Sequence, residues 1–249
     1  MAEKICIYGF HAVEALLKQD PERVLEVWLL GGRQDKRLDE MQNLLAKCGI
    51  RPQKAKREQL DELADSRQHQ GIVAHCQAAP VRNENFLNAI LDNLQEAPFL
   101  LILDGVQDPH NLGACLRTAD AAGVHAVIAP KDNAVGLNAT VRKVACGAAE
   151  TVPFINVTNL ARCLRGLKER GVWLIGTAGE AQQPVYAQDL KGPLALVMGA
   201  EGKGMRRLTR ETCDGLIYIP MQGSVESLNV SVATGVCLYE ALRQRMGTD

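Results

Sequence analysis

Three stretches of the chain carry side chains whose types and spacing suit chemistry. The first is LDGVQDPHNLGACLRTADAAG, residues 103–123, where an apolar run enters a polar loop with Asp108, His110 and Asn111 and then a helix. On that helix Gly113 and Arg117 are i,i+4 neighbours, so the glycine clears space one turn before the guanidinium and a ligand can approach it. The second is LALVMGAEGKGM, residues 194–205, a buried strand ending in a glycine-rich loop with Glu201, a carboxylate able to fix a guanidinium bidentately. The third is IPMQGSVESLNVSVATGVCLYEAL, residues 219–242, where a loop after Pro220 leads through Ser227, Leu228 and Asn229 into a long helix. Each residue alone has an ordinary alternative. Arg117 is then an exposed helix arginine, Glu201 a solvated loop acid, and Ser227 a helix N-cap.

These residues need elements to position them. From Phe99 onward FLLIL (99–103), VHAVIA (124–129), VWLIG (172–176), LALVM (194–198) and LIYI (216–219) are almost wholly apolar, as strands of a parallel sheet covered on both faces must be. Helices are expected at 112–122, 138–149, 158–170 and 228–245, with Thr158 as an N-cap and Gly171 as a helix-terminating glycine. Upstream, ICIYGF (5–10), VLEVWLL (24–30) and GIVAHC (71–76) alternate with helical stretches at 11–18 and 36–48, a small α/β block. Residues 78–97 hold Pro80 and a polar cluster and are expected as a linker that ends in a short amphipathic helix. The expected organisation is therefore 1–77, a linker at 78–97, and a larger domain at 98–249.

Composition removes several classes. The 249 residues carry 28 basic and 29 acidic side chains, 47% hydrophobic residues and 4% aromatic ones, a globular profile. No apolar run approaches the ~18–20 residues of a membrane span, and MAEKICIYGF lacks a signal-peptide core, so a cytoplasmic protein without membrane attachment is expected. Eight cysteines form no CxxC pair, against a zinc ribbon or a redox dithiol. Cys115, Cys146 and Cys237 are expected in the core, as are Trp28 and Trp173. No His pair has ligand spacing with Cys or Asp, so no metal is expected. Gly202 and Gly204 are not followed by a third glycine at the required spacing, and Met205 stands where a phosphate-binding loop needs Lys. Neither dinucleotide nor Walker-type chemistry fits. The glycines at the strand ends serve either close approach of a ligand or simply tight turns.

Taken in order, N-x-G-x-x-x-R at 111–117, G-A-E-G-x-G at 199–204 and S-x-N at 227–229 resemble the three motifs of the SpoU/TrmH branch of the SPOUT superfamily of RNA ribose 2′-O-methyltransferases. YGFHAVEALL (8–17) and HQGIVA (69–74) resemble the small L30e-like substrate-binding domain of the subgroup that acts on large-subunit (23S) rRNA. The resemblance implies an α/β fold whose carboxyl-terminal parallel-sheet domain is tied in a deep trefoil knot. It implies S-adenosylmethionine as methyl donor, read by backbone near Gly199, Ile219 and Leu228 with Thr177, Ala178, Gly179, Met198 and Met221 around it. It implies that Arg117 activates the ribose hydroxyl while Asn111, Glu201, Ser227 and Asn229 orient it and the RNA. Arginine holds its proton to above pH ~12. Either Arg117 is forced neutral, or it stays charged and stabilises an alkoxide while water or phosphate takes the proton; energetics favours the second. Implied partners are 23S rRNA or a large-subunit precursor, and a second copy of the chain bound through the knotted domain. The same three motifs also admit a tRNA substrate, or a catalytically silent RNA-binding assembly factor.

A net charge of −1 argues against a basic coat but not against patches. Lys47, Arg51, Lys54, Lys56 and Arg57 fall in one run without an acid, and Lys203, Arg206, Arg207 and Arg210 in another. Lys54, Lys56, Arg57, Lys203, Arg206 and Arg207 are the expected RNA contacts. A third, mixed cluster is Arg33, Lys36 and Arg37, and His11 and His69 are further candidates to touch RNA.

Overall fold

A computed structural model describes residues 4–32, 35–79 and 82–247, which excludes Arg33 of the mixed basic cluster. The chain divides into two compact units, Met1–Pro80 with Leu137–Thr151, and Val81–Gly136 with Val152–Asp249.

In the first unit alternating apolar residues build β1 (Lys4–Tyr8), α1 (Phe10–Gln19), β2 (Val24–Leu30), α2 (Lys36–Lys47), β3 (Gln53–Ala55), α3 (Arg57–Ala64) and β4 (Ile72–Gln77). The sheet order is β1-β4-β2-β3, antiparallel except for β2 with β3. Phe10, Leu16, Leu38 and Leu45 pack one face of it, and Leu60 and Ala64 the other. The strand β3 and helix α3 were not expected, because three residues with two polar side chains at a sheet edge leave no periodic trace.

The second unit begins with α4 (Glu84–Asn93) and continues β5 (Phe99–Asp104), α5 (Pro109–Ala121) and β6 (Ala126–Pro130). Two short helices, α6 (Ala139–Ala145) and α7 (Ala148–Thr151), then belong to the first unit. There the buried Glu150 carboxylate pairs with Arg142 and, at 3.0 Å, with Arg23. This segment lies inside the span expected as one domain, and its partner Arg23 is 127 residues away from Glu150 in the chain. The second unit resumes with β7 (Phe154–Val157), α8 (Leu160–Glu169), β8 (Trp173–Thr177), β9 (Gln183–Pro184), β10 (Leu194–Gly199), α9 (Arg207–Thr212), β11 (Gly215–Tyr218) and α10 (Val230–Arg245).

Every pairing in the seven-stranded sheet is parallel, in the order β7-β6-β5-β10-β8-β11-β9. All six residues of β5 are buried, as a central strand covered on both faces requires. The expected α/β class with a parallel sheet is what the chain adopts. Four details differ from expectation. Leu87 of α4 is buried in the main core, so the stretch expected as a linker contributes to the second unit. Asn159, not Thr158, caps α8, because its side chain accepts from the Arg162 N–H. Trp173 is 61% exposed, since it is the first residue of β8. Cys146 is exposed in a left-handed turn that ends α6, not in the core.

Candidate active site

In a parallel sheet the carboxyl ends of the strands and the loops after them form one edge, where ligands bind. All three chemistry-bearing stretches arrive there. β5 ends at Asp104 beside Gly199, the last residue of β10, its register partner. Asp108 caps α5 by accepting from the His110 N–H at 3.0 Å, and that bond holds the Asp108 carboxyl below its usual range. The cap turns Asn111 inward, and Asn111 is buried.

Asn111, Glu201 and Asn229 meet, though they lie up to 118 residues apart. Glu201 Oε1 accepts from Asn111 Nδ2 at 3.1 Å and from Asn229 Nδ2 at 2.6 Å, and Asn229 Nδ2 also donates to Asn111 Oδ1 at 3.0 Å. Asn229 Oδ1 accepts from the Ser231 N–H and hydroxyl, which makes Asn229 the N-cap of α10. That cap displaces the ordinary reading of Ser227, which lies exposed two residues earlier. Glu201 was expected to grip a guanidinium; its bonds run to the two amides instead. Arg117 is exposed on α5, one turn after the buried Gly113.

The loop after β10 is a tight hairpin. Ala200 and Gly204 exchange two backbone hydrogen bonds, at 3.1 and 2.9 Å. Its end folds back so closely that a Cβ on Gly199 would stand 2.3 Å from the backbone of Gly204 and Met205, so glycine is required there. Thr177 ends β8, and its hydroxyl donates to the Val197 carbonyl at 3.3 Å. Ala178 N–H donates to Ile217 O at 2.9 Å, which ties the turn through Gly179 to β11. Ile219 follows β11 directly, and Met221 and Leu228 lie in the loop between β11 and α10. The residues expected around the methyl donor thus sit at the ends of three adjacent strands, β10, β8 and β11, and the loops that follow them. Main-chain groups there suit the edge of a purine, with no bulky side chain needed to read it.

Two expectations change. Arg206 was expected to touch RNA, but its backbone N–H donates to Asp104 Oδ2 at 2.8 Å and its Nε to Asp104 Oδ1 at 2.6 Å. Its Nε is therefore engaged by Asp104, while the side chain stays half exposed. His69 was expected to reach RNA and is 2% exposed, with Nδ1 accepting from Gly71 N–H and Nε2 against Asp61. Sequence reasoning passed over Asp104, although an acid closing the wholly apolar run FLLIL was a visible signal. Lys54, Lys56, Arg57, Lys203 and Arg207 are exposed as expected. Burial pushes the Cys213 and Cys237 thiols up to about 12, which leaves no nucleophile among them. Among the described residues no group of three or more His, Cys, Asp and Glu side chains can hold a metal ion, and no helix is long and apolar enough to cross a membrane.

Comparison with known proteins places this geometry. Residues 98–239 match the SpoU rRNA Methylase family, and residues 6–81 match the family described as RNA 2′-O ribose methyltransferase substrate binding. The 23S rRNA (guanosine-2′-O-)-methyltransferase RlmB of Pectobacterium atrosepticum is 65% identical over 97% of this chain and 98% of its own length. The protein of the same name from Shewanella oneidensis is 62% identical over 98% of this chain and 99% of its own. In fold, the chain is similar to the SpoU methyltransferase AviRb from Streptomyces viridochromogenes, solved with AdoMet, with a TM-score of 0.77 at 24% identity over 99% of this chain and 92% of that one.

Proposed function

This chain belongs to the SpoU rRNA methylase family, and on that premise we propose that it transfers a methyl group from S-adenosylmethionine to the ribose 2′-hydroxyl of one guanosine in the peptidyl transferase region of 23S rRNA. The observation that carries the reading is the meeting of Asn111, Glu201 and Asn229 at the carboxyl edge of the sheet.

S-adenosylmethionine supplies an electrophilic methyl on a sulfonium. The backbone at Gly199, Ile219 and Leu228 holds it, with Thr177, Ala178, Gly179, Met198 and Met221 around it. The ribose hydroxyl is a weak nucleophile, so the protein's task is alignment and charge stabilisation. The Arg117 guanidinium stabilises charge on the ribose oxygen; the methyl carbon would bond to that oxygen as its bond to the sulfonium sulfur breaks, leaving S-adenosylhomocysteine, and the hydroxyl proton would pass to water. The Asn111–Glu201–Asn229 cluster fixes the loops that present the hydroxyl, and Ser227 orients the RNA backbone. A deep knot through the β10 and β11 loops would give these turns the rigidity such alignment needs.

RNA contacts come from Lys54, Lys56 and Arg57 in the first unit and from Lys203 and Arg207 in the second. We also assign a homodimer. Val232 and Tyr239 on α10 and Met246 at its C-cap, 51–69% exposed, recur every seven residues and so form one apolar stripe. We also infer a cytoplasmic location, which action on rRNA supports.

The test is incubation of purified protein with labelled S-adenosylmethionine and protein-free 23S rRNA or tRNA, followed by mapping of the label. A single 2′-O-methylguanosine in 23S rRNA is expected. Label on tRNA alone moves the substrate class, and no label on either makes the chain an RNA-binding factor without activity.

A further inference from the structure

The hairpin 199–205 needs something to hold it closed. Its own pair of backbone bonds, between Ala200 and Gly204, spans a turn in which Gly202 and Gly204 both have positive φ. That turn carries Glu201 and folds over the end of β10.

The clamp comes from the neighbouring strand. Asp104 is the register partner of Gly199, and its side chain is wholly buried. Both carboxylate oxygens are committed to the residue after the hairpin: Oδ2 to the Arg206 N–H at 2.8 Å and Oδ1 to Arg206 Nε at 2.6 Å. The next residue, Gly105, begins the loop that leads to Asn111, and a Cβ there would lie 3.8 Å from the Ala200 side chain. One carboxylate therefore pins the donor-side hairpin to the strand from which the acceptor-side loop departs. A buried carboxylate with two N–H donors on a single residue is a geometric constraint more than a source of stability.

We propose that Asp104 is a positioning residue for methyl transfer, acting through Arg206 to hold the 199–205 hairpin in the form that binds S-adenosylmethionine. The proposal rests on the reading of that hairpin as part of the donor site. It also gives Arg206 a role other than RNA contact.

The test uses the full chain with Asp104→Asn, Arg206→Ala, Arg206→Lys and the double variant Asp104→Asn/Arg206→Ala. S-adenosylmethionine affinity is read by calorimetry without RNA, alongside the melting temperature, and KM for RNA is read across salt concentrations. Asn at 104 turns an N–H toward one of two N–H donors, so Asp104→Asn is expected to weaken donor binding at least tenfold. Arg206→Ala keeps the backbone bond and loses three- to fivefold; Arg206→Lys, which restores a cation beside Asp104, recovers to within twofold of the parent. The double variant is no worse than Asp104→Asn, because both changes break the same contact. RNA KM and its salt dependence stay within twofold throughout.

Donor affinity within twofold of the parent in folded Asp104→Asn overturns the proposal. So does an Arg206→Ala protein with unchanged donor affinity, raised RNA KM and a shallower salt dependence, which makes Arg206 an RNA contact. If Asp104→Asn does not fold, the two Arg206 variants decide, since that side chain is half exposed. A parent protein that binds no S-adenosylmethionine overturns the donor-site reading and the clamp together; a parent that binds it while all variants match overturns the clamp alone.

Discussion

In the 203–210 segment Arg206 is bound to Asp104, Arg207 lies 3.8 Å from Glu211, and Arg210 pairs with Glu180. In the 47–57 segment none of Lys47, Arg51, Lys54, Lys56 and Arg57 has an ion-pair partner among the described residues. As sequence the two runs are alike, each basic and without an acid. The difference comes from acids outside the run: Glu211 just after it, and Glu180 and Asp104, which the fold brings in from 30 and 102 residues away. A cation already paired has less to offer a phosphate. On the function proposed above, Arg206 serves the construction of the site, and the 47–57 run is the main grip on RNA.

The sharpest way to break that division is to disturb each side and watch different kinetic constants. The largest effect is expected at the site. Glu201→Ala removes the acceptor shared by two amides; the buried Asn111 Nδ2 is left stranded, at about 1–3 kcal/mol, while Asn229 Nδ2 keeps its bond to Asn111 Oδ1. We expect kcat to fall at least 100-fold with RNA KM nearly unchanged; a raised KM at full kcat would place Glu201 on the binding side. Arg117→Lys comes next, with a drop in kcat of about 30- to 100-fold, because lysine lacks the planar fork. Near-full methylation by that variant would remove the role given to Arg117.

On the binding side, Lys54→Gln, Lys56→Gln and Arg57→Gln together are expected to raise RNA KM about tenfold. The slope of log affinity against log salt should fall by about two to three, as three lost phosphate contacts require. The melting temperature stays within a degree or two, since all three side chains are exposed. An unchanged slope would make the 47–57 run ordinary surface. Arg207→Gln, whose partner is on the same exposed helix face, removes a single phosphate contact and should raise RNA KM about twofold, less than the triple change. The smallest effect is expected from thiol alkylation at pH 8. Exposed Cys146 reacts, whereas Cys115, held near 11 by burial, and Cys213 and Cys237, near 12, do not, and methyl transfer persists.

The sequence made some of this legible and hid the rest for physical reasons. The parallel sheet showed because strands buried on both faces are apolar throughout, as FLLIL and LALVM are. Asn111, Glu201 and Asn229 could be singled out by motif, but not their mutual bonds, which close loops of 28 to 118 residues. Glu201 was matched with a guanidinium rather than two amides for the same reason, and Arg206 was read as an RNA contact because Asp104 lies so far upstream. The docking of 137–151 against Arg23 left no local trace at all. Trp173 shows the converse limit: an aromatic residue in an apolar run reads as core, yet the end of a strand can leave it in solvent.

The most direct test of the account is to map ribose methylation of 23S rRNA in cells that lack this chain, complemented with the natural protein or with Glu201→Ala. One guanosine in the peptidyl transferase region should be methylated with the natural protein and bare with the variant at equal protein abundance. A methyl group that persists with the variant, or a 23S rRNA unchanged by the natural protein, would contradict the account.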